Sequence, residues 1–165
     1  MIGMSRFLRG VRGVASLEFA IIFPVFLLAA LMILQMGLST FYQSTLDDAV
    51  RIAARQIAIG NILASGRSSF VTSICNEFAV LQPSCTTNLQ VYVASAREFS
   101  GIAIATVGPA GVLSNSGFAP GTASSDVVIE VAFTPPYAIP MVSNLVASAG
   151  NNTLLSVVSQ INEPY

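Results

Sequence analysis

The sequence predicts an α+β protein. One long N-terminal helix crosses a membrane in its first half and packs its exported second half on a small antiparallel sheet of about three strands. Three observations predict this. No charged side chain occurs between Phe19 and Tyr42. Apolar residues at helical spacing continue past that run, through Leu46, Val50, Ala53 and Ile57. Farther along, three segments change to a period of two, the signature of half-buried strands.

Composition supports the membrane reading. Of 165 residues, 53% are hydrophobic and 9% charged, unusual for a freely soluble domain. The net charge of -1 gives no basis for bulk binding to nucleic acid. Every basic residue is an arginine, three of them (Arg6, Arg9, Arg12) precede the apolar run, and no acid comes before Glu18. About 20 apolar residues suffice for a helix to cross the hydrocarbon core. Positive residues just before the span hold that end in the cytoplasm. The chain after about Gln43 is then outside. A cleaved secretory signal is the competing reading, but the run is longer than a usual signal core and no A-x-A-like site follows it. Pro24 sits inside the span, where a proline is tolerated at the cost of a kink.

The helix is expected from about Val14 to about Leu63, since neither Pro nor Gly interrupts the stretch between Gly37 and Gly60. Leu46, Val50 and Ile57 form its core stripe. Asp47 and Asp48 stand four and three residues before Arg51, the spacing of an intrahelical ion pair. The stretch from Ser69 to Cys85 reads as a short second helix that ends before Pro83. Three strands follow. Leu89, Val91 and Val93 alternate in the first, Val127, Ile129, Val131 and Phe133 in the second, and Leu155, Val157 and Ile161 lie on one side of the third. The Gly-, Ser- and Pro-rich stretch between the first two reads as a long surface loop. Residues 139–150 fit a short helix, with Pro140 near its start and Gly150 past its end.

Cys75 and Cys85 fall in the exported part, a compartment that permits disulfides. An intrachain bridge would close a loop of about 11 residues. The alternatives are two buried free thiols or pairing between chains. Two cysteines in a chain without histidine make a poor metal site.

The remaining feature is a lone carboxylate, Glu18, at the mouth of the apolar run, with Gly13 five residues ahead of it. Gly13, then Val14-Ala15-Ser16-Leu17, then Glu18 and Phe19, behind a short basic leader, resembles the processing site of type IV pilin-like precursors of the Tad (tight adherence, Flp) subclass. The resemblance implies that a prepilin peptidase cuts between Gly13 and Val14. It sharpens to the TadE-like minor pseudopilins in the block around Pro24 and in the closing Ile161-Asn162-Glu163-Pro164-Tyr165. It implies a pilin-like fold, a leader over 1–13, the long helix over 14–63 and an exported α+β domain over 64–165. It also implies a single-pass protein of the bacterial inner membrane, with its C-terminal domain periplasmic or built into an extracellular pilus. The implied partners are the prepilin peptidase, other pilins and minor pseudopilins, and the inner-membrane assembly platform.

The physics of Glu18 agrees with a functional role. A charged acid within a membrane helix is costly and usually marks function. Cleavage would free the amine of Val14 one turn from Glu18, and a carboxylate in the first turn is favoured by the helix dipole. In an assembly Glu18 could pair with a neighbour's amine. An enzyme is the weakest class: with no His, no Lys and only scattered acids, no acid/base pair is legible, and no cofactor is expected. The other class is a membrane-anchored binding module, adhesin-like, using the loop from Gly108 to Ser125. Leader removal discriminates the two, because an anchored module has no need to lose residues 1–13.

Overall fold

The computed structural model describes residues 12–63, 66–78, 82–108, 110–135 and 153–164. Helix α1 spans Arg12–Ala58, with Pro24 inside it. Its 47 residues make a rod on the order of 70 Å long. The helix ends earlier than Leu63 because Gly60 turns left-handed, at φ 76°, a conformation that glycine adopts without steric cost. The backbone N–H groups of Asn61 and Ile62 then close back on the carbonyl of Gln56.

Two helices follow where the sequence suggested one. These are α2, Arg67–Glu77, and α3, Gln82–Asn88. Pro83 does not terminate a helix. It occupies the first turn of α3, where its missing N–H costs nothing. Cys75 on α2 and Cys85 on α3 are bridged, with Cα atoms 5.7 Å apart.

The strands are β1, Leu89–Ala96, β2, Asp126–Phe133, and β3, Leu154–Ile161. They form one antiparallel sheet in the order β1-β2-β3. Leu89, Val91 and Val93 of β1 join Val127, Ile129, Val131 and Phe133 of β2 on the inner face. Against them pack Leu46, Val50, Ala53 and Ile57 of α1, with Phe70 and Ile74 of α2. The α1 stripe is therefore core, as its spacing implied. The Asp47/Asp48–Arg51 pair is not formed; Asp47 instead accepts a hydrogen bond from Gln43 Nε2 at 3.2 Å.

Two expectations are corrected on the outer face of the sheet. The segment between β1 and β2, expected as a surface loop over its Gly-, Ser- and Pro-rich part, is largely exposed but does not stand clear of the sheet. It lies over β1 and β2, burying Ala105 and Leu113 against Tyr92 and Ala132. A small hairpin (Val107 bridged to Leu113) and a bridge from Phe118 to Val93 shape this layer. Among the described residues the layer stops short of β3. Register puts Leu155, Val157 and Ile161 opposite Ala132, Glu130 and Asp126, on the outer face, and all three are exposed. The inward side of β3 is Leu154, Ser156, Val158 and Gln160. The short helix expected over 139–150 lies outside the described residues.

β3 is held to α1 by polar groups at both ends. Gln43 Nε2 donates to the carbonyl of Leu155 at 3.0 Å. Gln160 Nε2 donates to the carbonyl of Ala54 at 2.7 Å. The N–H of Glu163 reaches the carbonyl of Ala58 at 2.8 Å, satisfying one of the orphan acceptors of the α1 C-terminus. A free sheet edge invites pairing with other chains, and α1 with its glutamine blunts this one.

Candidate functional site

The α1 backbone is already helical at Arg12, so the Gly13–Val14 bond lies at the helix start. Glu18 follows one turn after Val14 and its side chain is exposed. Phe19 is exposed as well and stacks on Phe23 one turn later, with ring centroids 5.1 Å apart. Leu17, Ile21, Ile22, Val25 and Phe26 are also exposed. The first half of α1 thus presents apolar side chains all round, interrupted by a single carboxylate. A helix apolar all round suits a hydrocarbon environment, and α1 is long and apolar enough to cross a membrane. Among the described residues no group of His, Cys, Asp and Glu is placed to hold a metal ion.

At the other end of the apolar run the helix becomes polar along one stripe. Gln35, Ser39, Gln43 and Asp47 recur every four residues, which stacks them on one face. Gln35 is buried, and its Oε1 has no hydrogen-bond partner among the described residues. Ser39, Thr40, Gln43, Ser44 and Asp47 line an open groove closed at one side by Leu154.

Residues 13–55 match the TadE-like protein family. The matched stretch holds Gly13, Val14, Glu18 and Phe19 together, and it ends one turn before α1 does. It also contains the glutamine that fastens β3. No curated protein and no solved structure matches the chain. The TadE-like segment and the pilin-like arrangement of a long helix on a three-stranded sheet together support a TadE-type role.

Sequence reasoning missed two buried polar side chains that organise the C-terminal domain. Glu130, on the central strand, faces the outer layer. Its Oε2 accepts the N–H of Ala105 at 2.8 Å, while its Oε1 has no partner. Burial pushes its carboxyl above the usual carboxylate range, with the Ala105 N–H acting in the opposite direction. Asn162 is buried beyond the end of β3. Its Nδ2 donates to the carbonyls of Pro120 and Thr122, at 2.8 and 3.1 Å, and lies 3.3 Å from Ser125 Oγ. The signal for Glu130 was a lone acid inside a β-branched run. The signal for Asn162 was the closing Asn-Glu-Pro, whose first two members tie β3 to the outer layer and to α1.

Proposed function

We propose that this chain is a minor pseudopilin of a Tad type IV pilus, inserted in the bacterial inner membrane with its N-terminus cytoplasmic. The prepilin peptidase removes residues 1–13, and the mature chain is then built into or beneath the pilus. The observation that supports this most is the placement of Gly13, Glu18 and Phe19 at the start of one unbroken helix. That helix runs from an all-round apolar half directly into the core of a folded domain. The domain and the anchor thus share one continuous helix. The partners under this reading are the peptidase, other pilins and minor pseudopilins, and the inner-membrane assembly platform. Glu18 is the group that pairs with a neighbour's Val14 amine and sets its register.

The test is the intact mass of the protein from its own cells, with and without the peptidase. The expected mature chain begins at Val14 in peptidase-positive cells and keeps its leader in peptidase-negative ones. Retention of residues 1–13 in both would overturn the reading and favour an anchored binding module.

A further inference from the structure

We infer that the outer face of β3 is a contact surface for the exposed flank of α1 from a second copy of this chain, with the two helices parallel. The inference rests on the pseudopilin reading, which places both copies in one membrane. Among the described residues the outer layer ends at β2, which leaves this face open. Leu155, Val157 and Ile161 are 39%, 53% and 61% exposed on one side of a strand that carries no charge. Glu163, also exposed, continues their alternation at the far end. The face is therefore apolar apart from exposed Ser159 and acidic at one end, where half-buried Asp126 lies opposite Ile161.

Direction selects the occupant. β3 begins beside Gln43 and ends beside Ala58 of its own α1, so the strand climbs in the same sense as the helix. Copies anchored in one membrane point their α1 helices the same way. The α1 of a second copy is then already parallel to the face. Lengths agree: Leu155 to Ile161 spans about 20 Å at strand rise, and Phe41 to Arg55 about 21 Å at helix rise.

Chemistry agrees as well. On the side of α1 away from the core, Phe41, Asp48, Ile52 and Arg55 recur at spacings of seven, four and three. Phe41 and Ile52 are 59% and 49% exposed. Arg51 and Arg55 are exposed, and neither has a side-chain partner among the described residues; the same holds for the carboxylates of Asp126 and Glu163. The strand's own contacts give the height scale, with Leu155 level with Gln43 and Glu163 level with Ala58. At equal height the second copy's Phe41 meets Leu155, its Ile52 falls between Val157 and Ile161, and its Arg55 reaches Glu163 and Asp126. Asp48 comes level with Val157; Arg51, three residues on, is not paired with it in the single chain. The Arg55 stem lies along the face while its head meets the acids. Donor and acceptor surfaces differ, so the contact is heterologous and adds copies in a row or ring rather than closing a dimer.

The experiment uses the full chain in its own membrane, with Val157 replaced by the photo-crosslinker p-benzoylphenylalanine. The expected product is an adduct of two copies, whose second peptide lies within residues 41–55. Arg55→Glu should lower the adduct yield by about fivefold, the scale of one exposed ion pair turned into a like-charge contact. Adding Glu163→Arg should restore the yield. No adduct, an adduct with another protein, a second peptide within β3, or a yield indifferent to both charges overturns the inference. Intact mass of the same sample reads leader loss separately. Absence of the adduct among chains that begin at Val14 defeats the contact and leaves the pseudopilin reading intact.

Discussion

Replacing Asn162 by alanine should cost the C-terminal domain far more than a surface substitution. Nδ2 has two hydrogens and three oxygens within reach. Two of those oxygens keep other partners when the side chain is removed, because Ser125 Oγ donates to the carbonyl of Thr122 and accepts from its N–H. The carbonyl of Pro120 is the one orphaned. A lost hydrogen bond is worth about 1 kcal/mol net, and a buried acceptor left bare costs roughly 1–3 kcal/mol. The sum is about 2–4 kcal/mol; removal of Oδ1, buried without a partner among the described residues, offsets part of it, and the remaining roughly 2–3 kcal/mol corresponds to a fall in Tm of roughly 10–20 °C for a domain of about 100 residues. Near-UV circular dichroism of the full chain in detergent would read the transition. Asn162→Asp should be worse than alanine at neutral pH, since it sets a carboxylate among three oxygens and supplies no donor. That excess should shrink as the acid takes up a proton. A shift under about 3 °C for alanine, or an aspartate variant as stable as the parent, would refute the reasoning.

Glu130 sets a pH dependence of opposite sign to that of a salt-bridged acid. Its folded pKa is raised by burial, so its contribution is fully present below the unfolded value and is lost as pH rises through the folded one. Glu130→Gln should flatten the fall of Tm with rising pH, read by calorimetry from about pH 4 to pH 8; an unchanged slope would contradict the assignment. Reduction of the Cys75–Cys85 bridge, or Cys85→Ala, should cost about 3 kcal/mol for a loop of this size, seen as a lower denaturant midpoint; an equal midpoint would show that α2 and α3 hold without it. Glu18→Gln keeps the apolar span and the basic flank, so insertion and leader removal should persist while piliation is lost. Normal pili on cells making only that variant would reduce Glu18 to a helix-start acid.

The parts of the fold legible in the sequence are those where one physical effect dominates. Leu46, Val50 and Ile57 had no competitor for the core, and the alternation in β1 and β2 marked their buried side correctly. β3 failed the same rule. Its apolar Leu155, Val157 and Ile161 face outward, while Ser156 and Gln160 face inward. The inward side was decided by α1, whose Ala54 carbonyl binds Gln160 and whose Gln43 holds Leu155. Tertiary contacts of this kind leave no trace in periodicity. Glycine and proline marked turns in the outer layer but could not reveal that its small residues, Ala105 among them, would be buried on the sheet. Pro83 showed that a helix boundary was near, though not which side of it was helical. At the candidate site, the proposed set Gly13, Val14, Glu18 and Phe19 stands out in the sequence because its spacing is local. Gln43, Glu130 and Asn162 do not, because their partners lie far along the chain.

The unbroken passage of α1 from its apolar half into the core has a mechanical consequence. Apolar cover ends near Leu38 and the core begins at Leu46, a separation of only about 12 Å along the helix. Under the proposed membrane reading, only that short stretch of helix separates bilayer from domain. A lean of the apolar half then carries the sheet with it, because both belong to the same helix. A tilt of about 20°, the common value for spanning helices, sweeps the far end of β3 sideways by on the order of 10 Å, since it rides roughly 30 Å above the pivot. On that reading, the helix neighbours and interfacial anchors that set the tilt thereby also set where the outer face of the domain points.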